Sequence, residues 1–255
     1  MIKIENLSKS FGAKKILEGL SFNIQQGESM VIMGGSGCGK SVLIKCIIGL
    51  LDPEPNSKIF INGEQTFGHK NQDRKSLISK FGVLFQGGAL FDSLTVWQNI
   101  CFALINAKSV TKKEAMDLAR EKLALVGLGE EVANQFPVEL SGGMQKRVAL
   151  ARAIALDPKI IFFDEPTAGL DPIMSGLISE LIRKCSKELG ATIITITHDM
   201  HCAEIVADKA ALLYKGGFVW HGNGNEIRKA NNEYLIQFVN GLTQGPFELN
   251  YKAVQ

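Results

Sequence analysis

The sequence has no concentration of charge of one sign. Lysine and arginine together number 28, aspartate and glutamate 26, and the formal net charge is +2. Binding to a nucleic acid through bulk charge needs a dense positive surface, so this composition argues against a nucleic-acid partner.

Cysteines and long apolar runs are also scarce. The five cysteines are scattered and none forms a C-x-x-C pair: Cys38, Cys46, Cys101, Cys185 and Cys202. This pattern argues against a disulfide framework or a zinc site and favours a reducing compartment. No apolar run approaches the ~18 residues of a membrane span, and the charged start MIKIENLSKS is unlike a signal peptide. We therefore expect any role at a membrane to depend on a partner protein.

The chain does contain enough apolar residues, 45% of 255, for one large α/β domain or two small ones. Its first third predicts short strands at IKIENL, SFNIQ, ESMVIM and KIFING, the last ending in the hairpin signal Asn62-Gly63. From Thr95 to Asp157 the periodicity becomes helical, with a capping box predicted between Thr111 and Glu114.

Strands return in the second half of the chain. KIIFFDE and ATIITIT are apolar strands, and helices are predicted at 172–189 and 200–206. This alternation predicts a mostly parallel sheet with helices on both faces, into which the helical middle is inserted. From Asn231 we expect a short amphipathic piece, EYLIQFVNGL, and then a loose tail.

The segment GGSGCGKS, residues 34–41, has the pattern G-x-x-x-x-G-K-[ST] of a phosphate-binding loop. It follows the strand SMVIM and precedes a helix, which is the context that the pattern requires. Backbone N–H groups and the helix start would surround phosphate oxygens. Lys40 would add a positive charge for the β- and γ-phosphates, and Ser41 a hydroxyl for Mg²⁺.

Two carboxylates follow the apolar run IIFF. Asp164, at the strand end, is placed to hold Mg²⁺ through its water shell, and Glu165 to polarise an attacking water. An acidic strand cap is common by itself. The phosphate-binding loop earlier in the chain makes a catalytic pair the favoured interpretation.

The segment LSGGMQKR, residues 140–147, predicts a second anion site. Ser141 can cap a helix whose first turn holds Gly142 and Gly143, and the N–H groups of such a start bind anions. By itself this would be an ordinary glycine-rich helix start. Because residues 34–41 already serve the phosphates, we predict that it faces a nucleotide held by another copy of the chain.

In this order, GGSGCGKS, Gln86, LSGGMQKR, IIFFDEP, TAGLDP and THD resemble the motifs of ABC transporter ATPase subunits, over nearly the whole chain. The resemblance implies an α/β fold: a P-loop NTPase (RecA-like) core with an N-terminal antiparallel β subdomain and an inserted α-helical subdomain. It places the ATP-binding core at 1–86 and 158–230, the helical subdomain at 87–157, and a C-terminal extension at 231–255.

The resemblance also implies roles for single residues. Phe11 would stack on adenine, although an aromatic in such a stretch is more often core. Gln86 would reach Mg²⁺ and the attacking water, Asp171 would lie at the dimer seam, and His198 would contact the γ-phosphate and hold Glu165. The residues expected to bind ATP are Phe11, Gly34, Gly35, Ser36, Gly37, Cys38, Gly39, Lys40, Ser41, Val42, Ser141, Gly142, Gly143 and Asp171. The residues expected to hold Mg²⁺ are Ser41, Gln86 and Asp164.

Two non-transport classes fit less well. The span from Lys40 to Ser141 is too short for the long coiled coil of chromosome-maintenance relatives, and translation-factor relatives carry two ATPase units in tandem. A nucleotide-gated binding module is therefore the least favoured alternative. A transporter subunit with a separate membrane permease is the favoured interpretation.

For the cargo, FQGGALFDSLTVWQNI, DEPTAGLDPIMS and FVNGLTQGP resemble the ATPases of Mla/Mce-type bacterial lipid transporters, with Gly87 where serine is usual. This implies phospholipid movement powered from the cytoplasmic face of the bacterial inner membrane. The implied partners are a second copy of the chain, a permease docking near residues 86–97, an Mce-type lipid-binding protein and a small accessory cytoplasmic subunit. An ATPase of an amino-acid or other small-solute importer is the alternative.

Overall fold

The computed structural model describes residues 1–67 and 81–248. Its strands are β1 Ile2–Phe11, β2 Lys14–Ile24, β3 Ser29–Met33, β4 Lys58–Ile61, β5 Glu64–Gln65, β6 Phe81–Leu84, β7 Ile160–Asp164, β8 Thr192–Thr197, β9 Lys209–Tyr214 and β10 Gly217–Asn223. Its α-helices are α1 Lys40–Ile47, α2 Val96–Ile100, α3 Phe102–Asn106, α4 Lys112–Leu125, α5 Gly142–Ala153, α6 Pro172–Leu189, α7 Met200–Val206 and α8 Glu233–Asn240.

The larger sheet has the order β10-β9-β3-β8-β7-β6, in which all neighbours are parallel except the β9–β10 hairpin. Because side chains alternate along a strand, β7 buries Ile161 and Phe163 in one core cluster and Ile160 and Phe162 in another. Apolar cores therefore cover both faces of this sheet, as in other α/β folds. The predicted helices at 172–189 and 200–206 are confirmed.

The smaller sheet is antiparallel, with the order β2-β1-β4-β5. Its Ile2 and Ile4 pack with Leu43 and Ile47 of α1 in the second core cluster. The predicted turn at Asn62-Gly63 joins β4 to β5. Strands β1 and β2 are longer than predicted. The polar stretch that the sequence places between them is itself paired as the end of the hairpin, and its side chains lie largely in solvent.

Between β6 and β7 the chain is mostly helical. Thr111 caps α4 and shares the predicted capping box with Glu114, whose carboxylate accepts the Thr111 N–H at 2.7 Å. The helix predicted in TVWQNICFALI is interrupted at Cys101, which separates α2 from α3. The α/β fold with an antiparallel β subdomain is thus confirmed, while the division at 87–157 stays a prediction.

The end of the described chain packs on its own body. Helix α8 is capped by Gly241, which follows Asn240 in the left-handed region with a φ of 61°. The prediction of a loose tail is wrong for Phe247, whose ring centroid lies 4.5 Å from that of Tyr214 and whose N–H donates to Gln237 at 2.7 Å. Residues 249–255 lie outside the described residues. Across residues 1–67 and 81–248, no helix has the length and apolar character to cross a bilayer.

Candidate active site

The phosphate-binding loop connects the carboxyl end of β3 to α1. A Cβ at Gly34 would come 2.6 Å from the carbonyl oxygen of Leu213 and 2.7 Å from Sγ of Cys38, so only glycine fits there. Gly39 precedes α1 with a φ of 109°, which also favours glycine. No side chain caps α1 at Gly39, so its first N–H groups are available to an anion.

Lys40 is buried at the start of α1, and its side chain reaches back into the loop. Its ammonium donates to the carbonyl oxygens of Gly34 and Gly35 at 2.7 and 3.1 Å, and lies 3.3 Å from Oε1 of Glu165. The loop therefore positions one positive charge against the proposed catalytic carboxylate. A phosphate that enters the loop meets a cation already held by backbone oxygens.

The proposed metal ligands meet at the carboxyl edge of the larger sheet. The Ser41 hydroxyl donates to Oδ1 of Asp164 at 3.2 Å. Burial raises the pKa of Asp164; the Ser41 hydrogen bond opposes this shift, and the charge of Glu165 adds to it. A hydroxyl and a carboxylate oxygen suit Mg²⁺, which keeps several water ligands and takes few from protein. Gln86 is exposed and leaves β6 beside β7, so it reaches the same edge.

Glu165 directly follows β7 and turns the chain sharply. Its φ is 51°, unusual for a residue with a side chain, and its N–H donates to the carbonyl oxygen of Ile196 on β8 at 2.9 Å. Its Oε2 lies 2.8 Å from Nδ1 of His198, the first residue after β8. The structure thus brings Lys40, Asp164, Glu165 and His198 together as the sequence predicts.

Two positioning residues were given no role from the sequence, although one of them, Asp199, belongs to the THD motif. Asp199 accepts the Thr167 hydroxyl at 2.9 Å and caps α7, which fixes the loop that carries His198. Arg152 donates to the carbonyl oxygens of Gly88 and Ala89 at 2.6 and 2.8 Å, which ties α5 to the loop after Gln86. Two features could have indicated these roles. Asp199 stands just before the start of a helix, where aspartate is a common cap, and Arg152 is a charged residue within a mostly buried helix.

The predicted second anion site lies at the start of α5. Ser141 caps this helix by accepting the N–H of Met144 at 3.3 Å, and both Ser141 and Gly142 are exposed. Asp171 caps α6, accepting two backbone N–H groups at 3.0 Å. Among the described residues, no hydrogen bond or ion pair joins 141–143 to the loop at 34–41. Ser141 and Gly142 thus lie on the surface, whereas Gly143 is buried behind them.

Phe11 ends β1 with its side chain 49% exposed, so the alternative of a core aromatic is wrong. The Lys9 ammonium lies 5.2 Å from its ring centroid. A groove of about 690 Å³ runs beside the phosphate-binding loop and is lined by Lys14, Ile16, Gly35, Cys38, Tyr214 and Phe247. Lys14 pairs with Phe11 across the hairpin, which places the aromatic next to this groove.

Comparisons with known proteins agree with this geometry. A family profile described as ABC transporter matches residues 17–168. The probable ribonucleotide transport ATP-binding protein mkl of Mycobacterium tuberculosis is 40% identical over 249 residues, 98% of this chain and 69% of that protein. The intermembrane phospholipid transport system ATP-binding protein MlaF of Haemophilus influenzae is 34% identical over 253 residues, 99% of this chain and 95% of that protein.

The glutamine transport ATP-binding protein GlnQ of Escherichia coli is 40% identical over 229 residues, 90% of this chain and 94% of that protein. Among solved structures, the dimeric ATP-binding cassette MJ0796 in a post-hydrolysis state bound to ADP and Pi superposes with a TM-score of 0.77. The two sequences are 33% identical, and the superposition covers 88% of this chain and 98% of the MJ0796 chain. The chain therefore belongs to the ABC transporter family and is a P-loop ATPase that binds and hydrolyses ATP.

Proposed function

We propose that this chain is the ATP-hydrolysing subunit of a bacterial ABC transporter that moves phospholipid between membranes through a separate permease. The observation that carries the lipid cargo is the extent of the match to MlaF. That match covers 99% of this chain, including most of the extension at 231–255, and 95% of MlaF, whereas the match to GlnQ covers 90% of this chain and the match to mkl covers 69% of mkl. Helix α8 and Phe247 in this extension are packed on the fold.

For hydrolysis, we assign each group of the site one role. Lys40 and the glycine-rich loop hold the β- and γ-phosphates, with Gly34–Val42 as their cradle. Glu165 accepts the proton of the attacking water, and His198 keeps that carboxylate in place and contacts the γ-phosphate. Gln86 orients the water from the neighbouring strand. The reaction then depends on positioning and on electrostatic stabilisation of the transferred phosphoryl group.

Mg²⁺ fits the pair of Ser41 and Asp164, with Gln86 as a further oxygen ligand. When bound, the ion would neutralise charge that builds up on the phosphate oxygens. The protein's contribution is the hydrogen bond that holds the Ser41 hydroxyl against the buried carboxylate.

We further propose that two copies enclose two nucleotides. Exposed Ser141 and Gly142, with Gly143 behind them, would contact the γ-phosphate held by the second copy, with Asp171 at the seam. Phe11, whose cross-strand partner Lys14 lines the groove, would stack on the adenine beside the groove of its own copy. Support comes from the exposed helix start of α5 and from the dimeric structures of MJ0796. ATP drives closure because it contacts both copies only in the closed state.

The permease is proposed to dock beside residues 86–97. An apolar groove of about 500 Å³ lies there, lined by Phe81, Val83, Phe85, Phe102, Leu104 and Leu156. Phe91 stacks on Phe102 at 4.4 Å at its rim, and both rings are substantially exposed. A contiguous exposed apolar surface marks a protein contact, and a short amphipathic segment of a permease fits this one.

The remaining partners follow from the lipid proposal. They are an Mce-type lipid-binding protein and a small accessory cytoplasmic subunit, with the assembly at the cytoplasmic face of the inner membrane. The alternative is an importer of amino acids or other small solutes, which the 40% identity to GlnQ favours.

A reconstituted assembly would test the cargo. The chain would be purified from native membranes with its bound partners, placed in proteoliposomes, and assayed for ATP-dependent transfer of labelled phospholipid to acceptor vesicles. Glu165→Gln in the same assembly is the matched control, because it removes the proposed base while keeping the partners. Recovery of an amino-acid-binding protein, with stimulation of ATPase activity by amino acids but not by phospholipid, would reject the lipid proposal and support the alternative.

A further inference from the structure

The groove beside the phosphate-binding loop is lined in part by the C-terminal extension. Phe247 and Glu248 lie along it together with residues 35–38 of the loop and residues 14–16 of β2. The extension lies outside the predicted ATP-binding core at 1–86 and 158–230. It nevertheless reaches the space next to the loop that is expected to hold the phosphates of ATP. A segment remote in sequence therefore shapes the candidate nucleotide groove.

Phe247 is held in place by aromatic contacts and by one hydrogen bond. Its ring centroid lies 4.5 Å from that of Tyr214, 5.6 Å from that of Tyr234 and 6.0 Å from that of Phe238. Its N–H donates to Oε1 of the buried Gln237 at 2.7 Å. The half-buried ring is thus packed on one side, and its remaining surface lines the groove.

Glu248 is attached to the hairpin between β9 and β10. Its N–H donates to the hydroxyl of Tyr214 at 3.0 Å, and its carboxylate lies 2.7 Å from the ammonium of Lys215. The ion pair is exposed, so by itself it adds little to stability. Leu213, just before Tyr214, is the residue whose carbonyl oxygen leaves no room for a Cβ at Gly34. The same hairpin therefore contacts the extension and the phosphate-binding loop.

The composition of the groove suits a nucleotide. Its lining includes three lysines and two carboxylates: Lys14, Lys15, Lys215, Glu18 and Glu248. The slight excess of positive charge favours a phosphate chain. Tyr214 and Phe247 add aromatic surface, which packs well against a nucleoside. Since Phe11 lies beside the groove through its cross-strand partner Lys14, a nucleotide with its phosphates in the loop and its base on Phe11 extends along this groove.

We propose that Phe247 is a nucleotide-binding residue, whose ring contacts the nucleoside part of ATP bound in the groove of its own copy. This rests on the placement of ATP proposed above. The hydrogen bond and ion pair of Glu248 hold the extension against the hairpin in the position that makes this contact. ATP binding and docking of the extension then strengthen each other by the same factor, because each favours the state in which the other occurs.

The test measures binding of two probes by calorimetry: a non-hydrolysable ATP analogue, and inorganic tripolyphosphate, which has no nucleoside. We expect Phe247→Ala to raise the Kd for the ATP analogue about fivefold or more and to leave the Kd for tripolyphosphate within about twofold of the parent. Phe247→Tyr keeps the ring and should recover most of the affinity. Leu242→Ala is the matched control, because Leu242 is an exposed apolar residue of the same extension that does not line the groove.

Hydrogen exchange provides the reciprocal measurement. In the parent, the ATP analogue should slow exchange of the backbone amides at 233–248, and Phe247→Ala should lose most of this protection. A Kd for the analogue within about twofold of the parent in Phe247→Ala would overturn the proposal. So would equal losses of affinity for both probes that accompany a fall in Tm, since these would indicate a packing role only.

The placement of ATP is tested separately with Phe11→Ala. If this variant binds the ATP analogue as tightly as the parent does, the proposed stacking of adenine on Phe11 fails. The comparison of Ala with Tyr at position 247 still decides whether the extension contacts the nucleotide.

Discussion

Nδ1 of His198 lies 2.8 Å from Oε2 of Glu165, while Nζ of Lys40 lies 3.3 Å from Oε1 of the same carboxylate. Both oxygens of this buried side chain therefore face a nitrogen on another element. The backbone N–H of His198 also donates to Oε2, at 3.3 Å. A carboxylate held on both sides keeps one orientation, which a positioned general base requires.

Removal of the imidazole should impair hydrolysis more than binding. We expect His198→Ala to lower kcat by about tenfold to a hundredfold, because Glu165 loses its fixed orientation, with a small change in the Kd for ATP. Steady-state kinetics and titration with a fluorescent ATP analogue would separate the two effects. His201→Ala is the matched control, since His201 is exposed on the adjoining helix α7. A parental kcat for His198→Ala would contradict the assigned role.

Removal of the ammonium of Lys40 should abolish both binding and turnover. Lys40→Ala takes away the cation that the loop holds for phosphate and leaves Glu165 buried without one of its two partners. We expect ATP turnover to fall below detection in a phosphate-release assay. Lys45→Ala, on the exposed side of the same helix, should keep most of the activity. Near-normal turnover in Lys40→Ala would refute the phosphate site.

Two glycine substitutions should separate stability from function. A Cβ at Gly142 meets nothing within 4 Å, so Gly142→Ala should keep or slightly raise Tm, yet lower ATPase activity by obstructing the nucleotide of the second copy. A Cβ at Gly82 would collide with the backbone carbonyl of Ala153, so Gly82→Ala should lower Tm. Thermal unfolding and ATPase assays on both variants provide the check. Full activity in Gly142→Ala would count against the contact across the dimer.

Asp208 should contribute stability that depends on pH. Burial raises its pKa, but hydrogen bonds from Arg183 and from the N–H of Ser29 lower it more, so the net pKa lies below the ordinary value of 3.8. A carboxyl with a depressed folded-state pKa stabilises the fold above the unfolded value, and this contribution is lost as the pH falls through the folded-state value. The effect is reduced by solvent screening, since the side chain is 37% exposed.

Asp208→Asn should therefore have a lower free energy of unfolding than the parent near pH 7, with a difference that shrinks below pH 3.8. Urea denaturation of both proteins at several pH values would measure this difference. Asp92→Asn, at an exposed loop position, serves as the control and should show no such trend. If the difference in free energy of unfolding between the two proteins grew on acidification, the predicted direction of the pH dependence would be wrong.

The parts of the site that lie within short segments could be predicted from the sequence. The loop at 34–41 and the strand end at Asp164 depend on local order of strand, glycine and helix, which a sequence displays directly. Ser141 and Thr111 could be predicted as caps for the same reason.

The rest depends on contacts between distant segments. Arg152 bonds the carbonyl oxygens of Gly88 and Ala89, which lie more than 60 positions earlier in the chain. The break at Cys101 and the packed Phe247 likewise reflect tertiary contacts that override local pattern. Burial and pairing of these residues could not be read from their neighbours in the sequence.

The close approach of Gly82 to Ala153 anchors one end of α5 backbone against backbone, while Ser141 at the other end is in solvent. The helix has 12 residues, so at a rise of 1.5 Å per residue about 18 Å separate its two ends. A rotation of about 10° around the anchored end would carry Ser141 about 3 Å, the length of a hydrogen bond. A change of that size in the angle of α5 would therefore be enough to make or break a hydrogen bond at Ser141.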